Sequence, residues 1–167
     1  AIGRPCILRI ASRDPEPPSV EYARASGGMY LDMTIHDFDM ARFMVGEIEE
    51  VYAMGSVLVA PWLAEADDVD TDIVTLRFAD GTLGVIDNSR QAVYGYDQRL
   101  EVFCSAGIAR ADNQAVDTVV CGDTSGMHGA LPPRFFMQRY PDTYVNEVRG
   151  FIDCVSNDTL PQVTGRD

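Results

Sequence analysis

The sequence predicts an α+β fold: an open, largely antiparallel β-sheet with helices packed on one face. Three observations lead there. A stretch near the N-terminus has helical period, a succession of β-rich runs joined by tight turns follows, and a second stretch near the C-terminus returns to helical spacing. At 167 residues, 46% hydrophobic and 23% charged, the chain has a globular composition and the length of one domain or of one half of a two-domain protein.

Taken in order, "ILRIAS" has the apolar content of a strand, and the prolines of "RDPEPPS" stop it because proline cannot donate to a central ladder. The stretch "GGMYLDMTIHDFDMARFMVG", residues 27–46, reads as a helix entered through Gly27-Gly28 and left at Gly46. Its apolar residues cover most of the circumference, which predicts a buried helix whose polar side chains are paired or line a cavity. The period then changes. "EVYAMGSVLVA", "DIVTLRFADGTLGVIDNSR", "QRLEVFCSAGIARADN" and "AVDTVVCG" predict five or six antiparallel strands, several joined by Asp-Gly or Ala-Gly turns, and a meander is the economical topology. "GDTSGMHGALPP" is a loop by composition. In "YPDTYVNEVRGFIDCVSND", Tyr144, Val148, Phe151, Ile152 and Val155 recur at helical spacing, so a second amphipathic helix is expected to pack on the sheet.

A formal charge of −13 repels a phosphate backbone and argues against nucleic acid as a partner. No apolar run approaches the ~18 residues of a membrane span, and "AIGRPCILRI" lacks the layout of a signal peptide, so a cytoplasmic protein without a membrane partner is expected. Cys6, Cys104, Cys121 and Cys154 are widely spaced and read as buried free thiols. All 13 basic residues are arginine, so a mechanism that needs a lysine must obtain it elsewhere. No Gly-rich nucleotide-binding turn occurs, and the chain closes on the polar "LPQVTGRD". The expectation is a piece of something longer.

On an α-helix Asp32 and His36 would be neighbours, with Asp39 further along the same side. Three readings are open: a satisfied core histidine with Asp39 paired to Arg42; a shared cation, for which no third ligand is evident; and acid–base chemistry, in which a carboxylate orients an imidazole that takes the proton of an alcohol. A second polar cluster, Arg90, Tyr94, Tyr96, Asp97 and Arg99 in "NSRQAVYGYDQR", could line a polyol pocket or form ion pairs at a strand end. Trp62 and "RFFMQRY" read as packing.

"SGGMYLDMTIHDFDMARFMVG" together with "SRQAVYGYDQRLEVFCSAGIARADN" resembles the C-terminal, substrate-side domain of the glucose-fructose oxidoreductase and myo-inositol dehydrogenase family, over essentially the whole of residues 1–167. The resemblance implies a substrate-binding and oligomerisation domain beside an absent Rossmann domain. It implies oxidation of a secondary hydroxyl of a cyclic polyol or sugar, myo-inositol to the 2-keto product first among them, with NAD or NADP held mainly by the absent half. A non-catalytic sugar-binding or assembly domain is the alternative. On residue matching, Asp32 and His36 take the catalytic places, Tyr96, Tyr94 and Thr34 the substrate-binding places, and no metal is implied. The family's catalytic lysine, in a Glu-Lys-Pro motif of the Rossmann half, has no counterpart here. The isolated chain is therefore expected to be inactive and not to hold NAD, and a homodimer or homotetramer through the sheet face is expected.

Overall fold

The computed structural model describes residues 1–165. Strands β1 (Pro5–Arg13), β2 (Ile48–Ser56), β3 (Thr71–Phe78), β4 (Leu83–Ser89), β5 (Asp97–Cys104) and β6 (Gly107–Ala111) form a six-stranded sheet in the order β2-β3-β4-β1-β5-β6. Every neighbouring pair is antiparallel except β1 with β4, which run parallel. The expected meander is corrected here. β1 is threaded between β4 and β5, and a parallel pair needs a long crossover. That crossover contains all the N-terminal helices, β2 and β3.

Side chains alternate across the sheet. One face presents Leu8 and Ile10 of β1, Val74, Leu76 and Phe78 of β3, Ile86 of β4, and Val102 and Cys104 of β5, all buried in one core cluster. Tyr30, Phe38, Ala41, Met44 and Val45 cover this face. They come from a π-helical turn, Met29–Thr34, and from the helix that continues it, α2 (Ile35–Met44), with Val45 as its C-cap.

A shorter helix, α1 (Val20–Ser26), precedes them and was not expected from the sequence. Its signals are local: the Ser19 hydroxyl accepts from the Tyr22 N–H at 3.2 Å, and Gly27 closes it at φ 89°. A 3₁₀ turn, Pro61–Ala66, packs Leu63 and Ala60 against Ala23, and the Trp62 indole N–H donates to the Pro18 carbonyl at 3.0 Å. Beneath this layer Asp70 is fully buried and accepts from the backbone N–H groups of Leu58, Val59 and Ala60 and from the Thr71 hydroxyl. Burial alone would push its carboxyl up, but these donors together hold it below the usual carboxylate range.

Three further expectations need correction. The helix of residues 27–46 is not apolar because it is buried on all sides. Met29, Met33, Asp37 and Ala41 face inward, whereas Leu31, Ile35 and Phe43 are 66%, 45% and 82% exposed. Residues 122–133 are not all loop, since β7 (Val120–Asp123) and β8 (Gly126–Gly129) form a separate hairpin. After a four-residue helix, α3 (Phe136–Arg139), the amphipathic helix α4 (Thr143–Asn157) exists as expected but stands off the sheet. Its Tyr144, Val148, Phe151, Ile152 and Val155 are all exposed. The cysteines are free, but of the four only Cys104 is buried. Among the described residues, no helix is long and apolar enough to cross a membrane.

Candidate active site

β1 and β4 run parallel and finish at the same end of the sheet, beside the start of β5. Chain ends that converge in this way gather side chains from separate segments into one crevice. Just beyond the strands lie Asp14 and Arg90, and over them the π-helical turn places Asp32. The Arg90 guanidinium, 4% exposed, bridges the two acids: Nη1 is 3.1 Å from Asp14 Oδ2, and Nη2 is 2.9 Å from Asp32 Oδ2. The second Asp32 oxygen accepts from the Tyr22 hydroxyl at 2.9 Å. Burial pushes the Asp14 carboxyl above its ordinary range against the pull of Arg90, with the Asp32 charge adding to the push and His36 opposing it.

His36 opens α2, is exposed, and makes no hydrogen bond or ion pair among the described residues. The expected Asp32–His36 contact is absent for a geometric reason. Residues 29–34 wind as a π-helix, whose wider turn breaks the i, i+4 alignment of an α-helix. Asp32 is held by Arg90 and Tyr22 instead, and the imidazole is left exposed. Arg42 pairs with Glu47 at 2.8 Å.

The tyrosines expected to bind substrate are separated by the sheet. Tyr96 is half-buried on the helix side, its hydroxyl donating to Gln98 Oε1 at 3.0 Å, and burial raises its phenol well above the ordinary range. The Tyr94 hydroxyl bonds Asp97 and accepts from Arg13 Nη1 at 3.3 Å. Asp97 is also gripped by Arg99, with Nε at 2.9 Å and Nη2 at 3.0 Å. Arg13, Asp97 and Arg99 point from β1 and β5 to the other face, so Tyr94 is not brought together with Tyr96, Asp32 and His36.

Thr34 is corrected as a substrate contact. It is fully buried, and its hydroxyl lies 2.8 Å from Asn88 Oδ1, 3.2 Å from Asp72 Oδ2 and 3.3 Å from the Met29 carbonyl. A hydroxyl has one hydrogen, which goes to Asn88; the Asp72 contact is then met if Asp72 is protonated and donates. Burial pushes the Asp72 carboxyl up to about 6, against the Thr34 and Asn88 hydrogen bonds. A carboxyl whose folded value is raised contributes stability that is full below its unfolded value and is lost as pH rises through the folded one. Stability should therefore decline between about pH 4 and 6 on this account, and Asp72→Asn should flatten that part of a urea-denaturation profile. An unchanged slope in the variant would contradict it.

The glycine pair at residues 27 and 28 is not a phosphate cradle. The Gly27-Gly28 turn leads into a helix, but its Met29 N–H donates to Asp68 Oδ1 at 2.9 Å, and a Cβ on Gly28 would meet that same carboxylate. A carboxylate seated there excludes a pyrophosphate. Among the described residues, no group of three or more metal-binding side chains is assembled.

Residues 1–110 match the family described as the GFO/IDH/MocA C-terminal domain. The chain belongs to that family. It is 56% identical over 167 residues to a myo-inositol 2-dehydrogenase of Thermotoga maritima, covering 99% of this chain and 50% of that protein. It is 41% identical to an inositol 2-dehydrogenase of Rhizobium meliloti, covering 99% and 51%. Among solved structures, a probable dehydrogenase from Thermotoga maritima superposes with a TM-score of 0.94 at 56% identity, over 99% of this chain and 50% of that one. A scyllo-inositol dehydrogenase from Lactobacillus casei with bound NAD(H) and scyllo-inositol superposes with a TM-score of 0.84 at 27% identity, over 98% and 50%. The chain thus spans about half the length of the relatives it matches.

Within this GFO/IDH/MocA domain, sequence reasoning overlooked Asp14, Tyr22, Asp37, Gln98 and Tyr140. A signal existed for Gln98, as it did for its neighbours Ser12 and Asn88: all three are polar residues at inward-facing positions near strand ends, where alternation would place an apolar side chain.

Proposed function

We propose that this chain is the substrate side of an NAD(P)-dependent oxidoreductase that oxidises a secondary hydroxyl of a cyclic polyol, myo-inositol to its 2-keto product being the favoured case. The observation that carries the proposal is the unbonded, exposed His36 imidazole beside an acid–arginine–acid cluster at the shared end of β1 and β4. The names of the inositol dehydrogenase relatives support the substrate class.

In this reading His36 accepts the proton of the reacting hydroxyl. Asp32 and Asp14 present acceptors to neighbouring hydroxyls, and Arg90, in contact with both, holds them in place. Tyr96 offers a flat apolar face and a hydroxyl to the ring. NAD, bound in the L. casei relative, would supply the hydride acceptor from the half of the protein outside this chain. The test is turnover: full-length protein should reduce NAD or NADP with myo-inositol or a close cyclitol. Failure with every cyclitol, alongside intact cofactor binding, would leave a sugar-binding or assembly domain.

The outer sheet face supports the expected self-association. Ile73, Leu83, Phe103 and Ile108 are 49%, 55%, 46% and 50% exposed there, an apolar centre among the Arg9–Glu101, Arg13–Asp87 and Arg77–Glu50 pairs. Sedimentation should find a dimer or tetramer at micromolar concentration. A monomer that persists across that range would contradict this part of the reading.

A further inference from the structure

Two tyrosine hydroxyls converge on one amide. Gln98 Oε1 lies 3.0 Å from the Tyr96 hydroxyl and 2.7 Å from that of Tyr140. The two rings meet edge to face with centroids 6.3 Å apart, and the Arg139 guanidinium lies 5.5 Å from the centre of the Tyr140 ring. At its other end, Gln98 Nε2 is 3.2 Å from Ser12 Oγ, and Ser12 Oγ is 2.6 Å from Asp37 Oδ1. Asp37 is 1% exposed, and its second oxygen is 2.7 Å from Asn88 Nδ2.

The direction of this chain follows from what each group is able to donate. Burial pushes the Asp37 carboxyl above its ordinary range, and hydrogen bonds from Ser12, Asn88 and Gln98 and the nearby His36 oppose that push by favouring the carboxylate, which only accepts. Ser12 therefore gives its one hydrogen to Asp37, and the short distance fits a charge-assisted bond. That leaves lone pairs on Ser12 Oγ, so the atom of Gln98 facing it must be the NH₂ group. The amide oxygen then faces the tyrosines, and each phenol gives it its only hydrogen. A flipped Gln98 would set its carbonyl against the Ser12 lone pairs. Asn88 is fixed by the same logic, since its Oδ1 accepts from Thr34 and its NH₂ group therefore faces Asp37. Both phenols thus spend their hydrogens on Gln98 and keep only lone pairs for a further partner.

We propose that Gln98, oriented by Ser12 and the buried Asp37, is a positioning residue that makes Tyr96 and Tyr140 obligate hydrogen-bond acceptors, so the site selects a ring substituent that donates to them. The proposal rests on the cyclic-polyol reading and refines it. One ring position of the substrate must present an O–H hydrogen to this pair, and a group able only to accept is rejected there because it would face phenol lone pairs in a half-buried pocket.

The test compares donor-only and acceptor-only probes. Dissociation constants for the full-length protein, with cofactor present, are measured for myo-inositol and for analogues in which one hydroxyl at a time is replaced by an ammonium group or by fluorine. The wild type should favour ammonium over fluorine by about tenfold or more at one ring position. Asp14 and Asp32 also attract a cation, so the deciding comparison is Gln98→Leu, which frees both phenol hydrogens and leaves those acids in place. The preference at that position should fall by about tenfold in Gln98→Leu. Tyr140→Phe removes only a hydroxyl, keeps the ring contact, and should lose part of the preference even if Gln98→Leu folds poorly. A preference that is unchanged in both variants, or absent from the wild type, overturns the inference. If myo-inositol itself fails to bind the wild type, the polyol reading falls and takes this one with it; binding without the donor preference removes this inference alone.

Discussion

Replacing His36 by alanine in the full-length protein should lower cyclitol turnover by roughly 10² to 10⁴, the usual contribution of a positioned general base, while NAD affinity stays nearly intact. The reason is the environment of the imidazole. It is exposed at the start of α2 and spends no hydrogen bond on the described residues, so its loss breaks nothing structural that would disguise the effect. Asp32→Asn should behave differently from a variant that merely frees a histidine. Asp32 is bound to Arg90 and Tyr22, so its amide variant weakens the cluster and should raise KM as well as lower kcat. Steady-state kinetics with parallel cofactor titration separates the two, and near-normal turnover in both variants would remove His36 and Asp32 from the catalytic machinery.

The second large effect concerns Arg90. Its side chain is 4% exposed and faces the carboxylates of Asp14 and Asp32, which are 29% and 19% exposed. Removing the shared cation leaves two partly buried acids facing each other, and breaking a buried ion pair from one side costs about 3–5 kcal/mol. Because both acids keep some water, Arg90→Met should fall at the lower end, about 3 kcal/mol in urea unfolding. Adding Asp32→Asn to Arg90→Met should recover part of that loss. A cost below about 1 kcal/mol would place the cluster among surface pairs.

Much of the fold was legible in the sequence because its signals are local. The strands after residue 50 are bounded by Asp-Gly and Ala-Gly turns, and the structure places β3, β4, β5 and β6 where those turns bound them. The place of β1 was not legible. Its pairing with β4 joins residues about as far apart as Ile7 and Leu83, and no local pattern encodes a contact across that separation. The π-helical turn was hidden for a related reason. "GGMYLDMT" has an ordinary helical composition, and its wider winding is visible only once Asp68 caps it and Arg90 holds Asp32.

The candidate site was legible in its residue types and not in its partnerships. Asp32 and His36 could be singled out as polar groups on an apolar stretch, yet their separate partners depend on β4 and α1. "NSRQAVYGYDQR" read as one cluster, but strand alternation sends Tyr96 and Gln98 to the helix side and Asp97 and Arg99, with Tyr94 bonded to Asp97, to the other. Exposed apolar residues on α2 and α4 read as buried because helical period reports that a face will be covered and is silent about what covers it.

The most direct measurement is a crystal structure of the full-length protein with NAD and a cyclitol. The account predicts the ring at the shared end of β1 and β4, with one hydroxyl within hydrogen-bond distance of the His36 imidazole and another donating to Tyr96. A cyclitol seated instead on the outer face, against Tyr94, Asp97 and Arg99, or one that leaves His36 without contact, would contradict it.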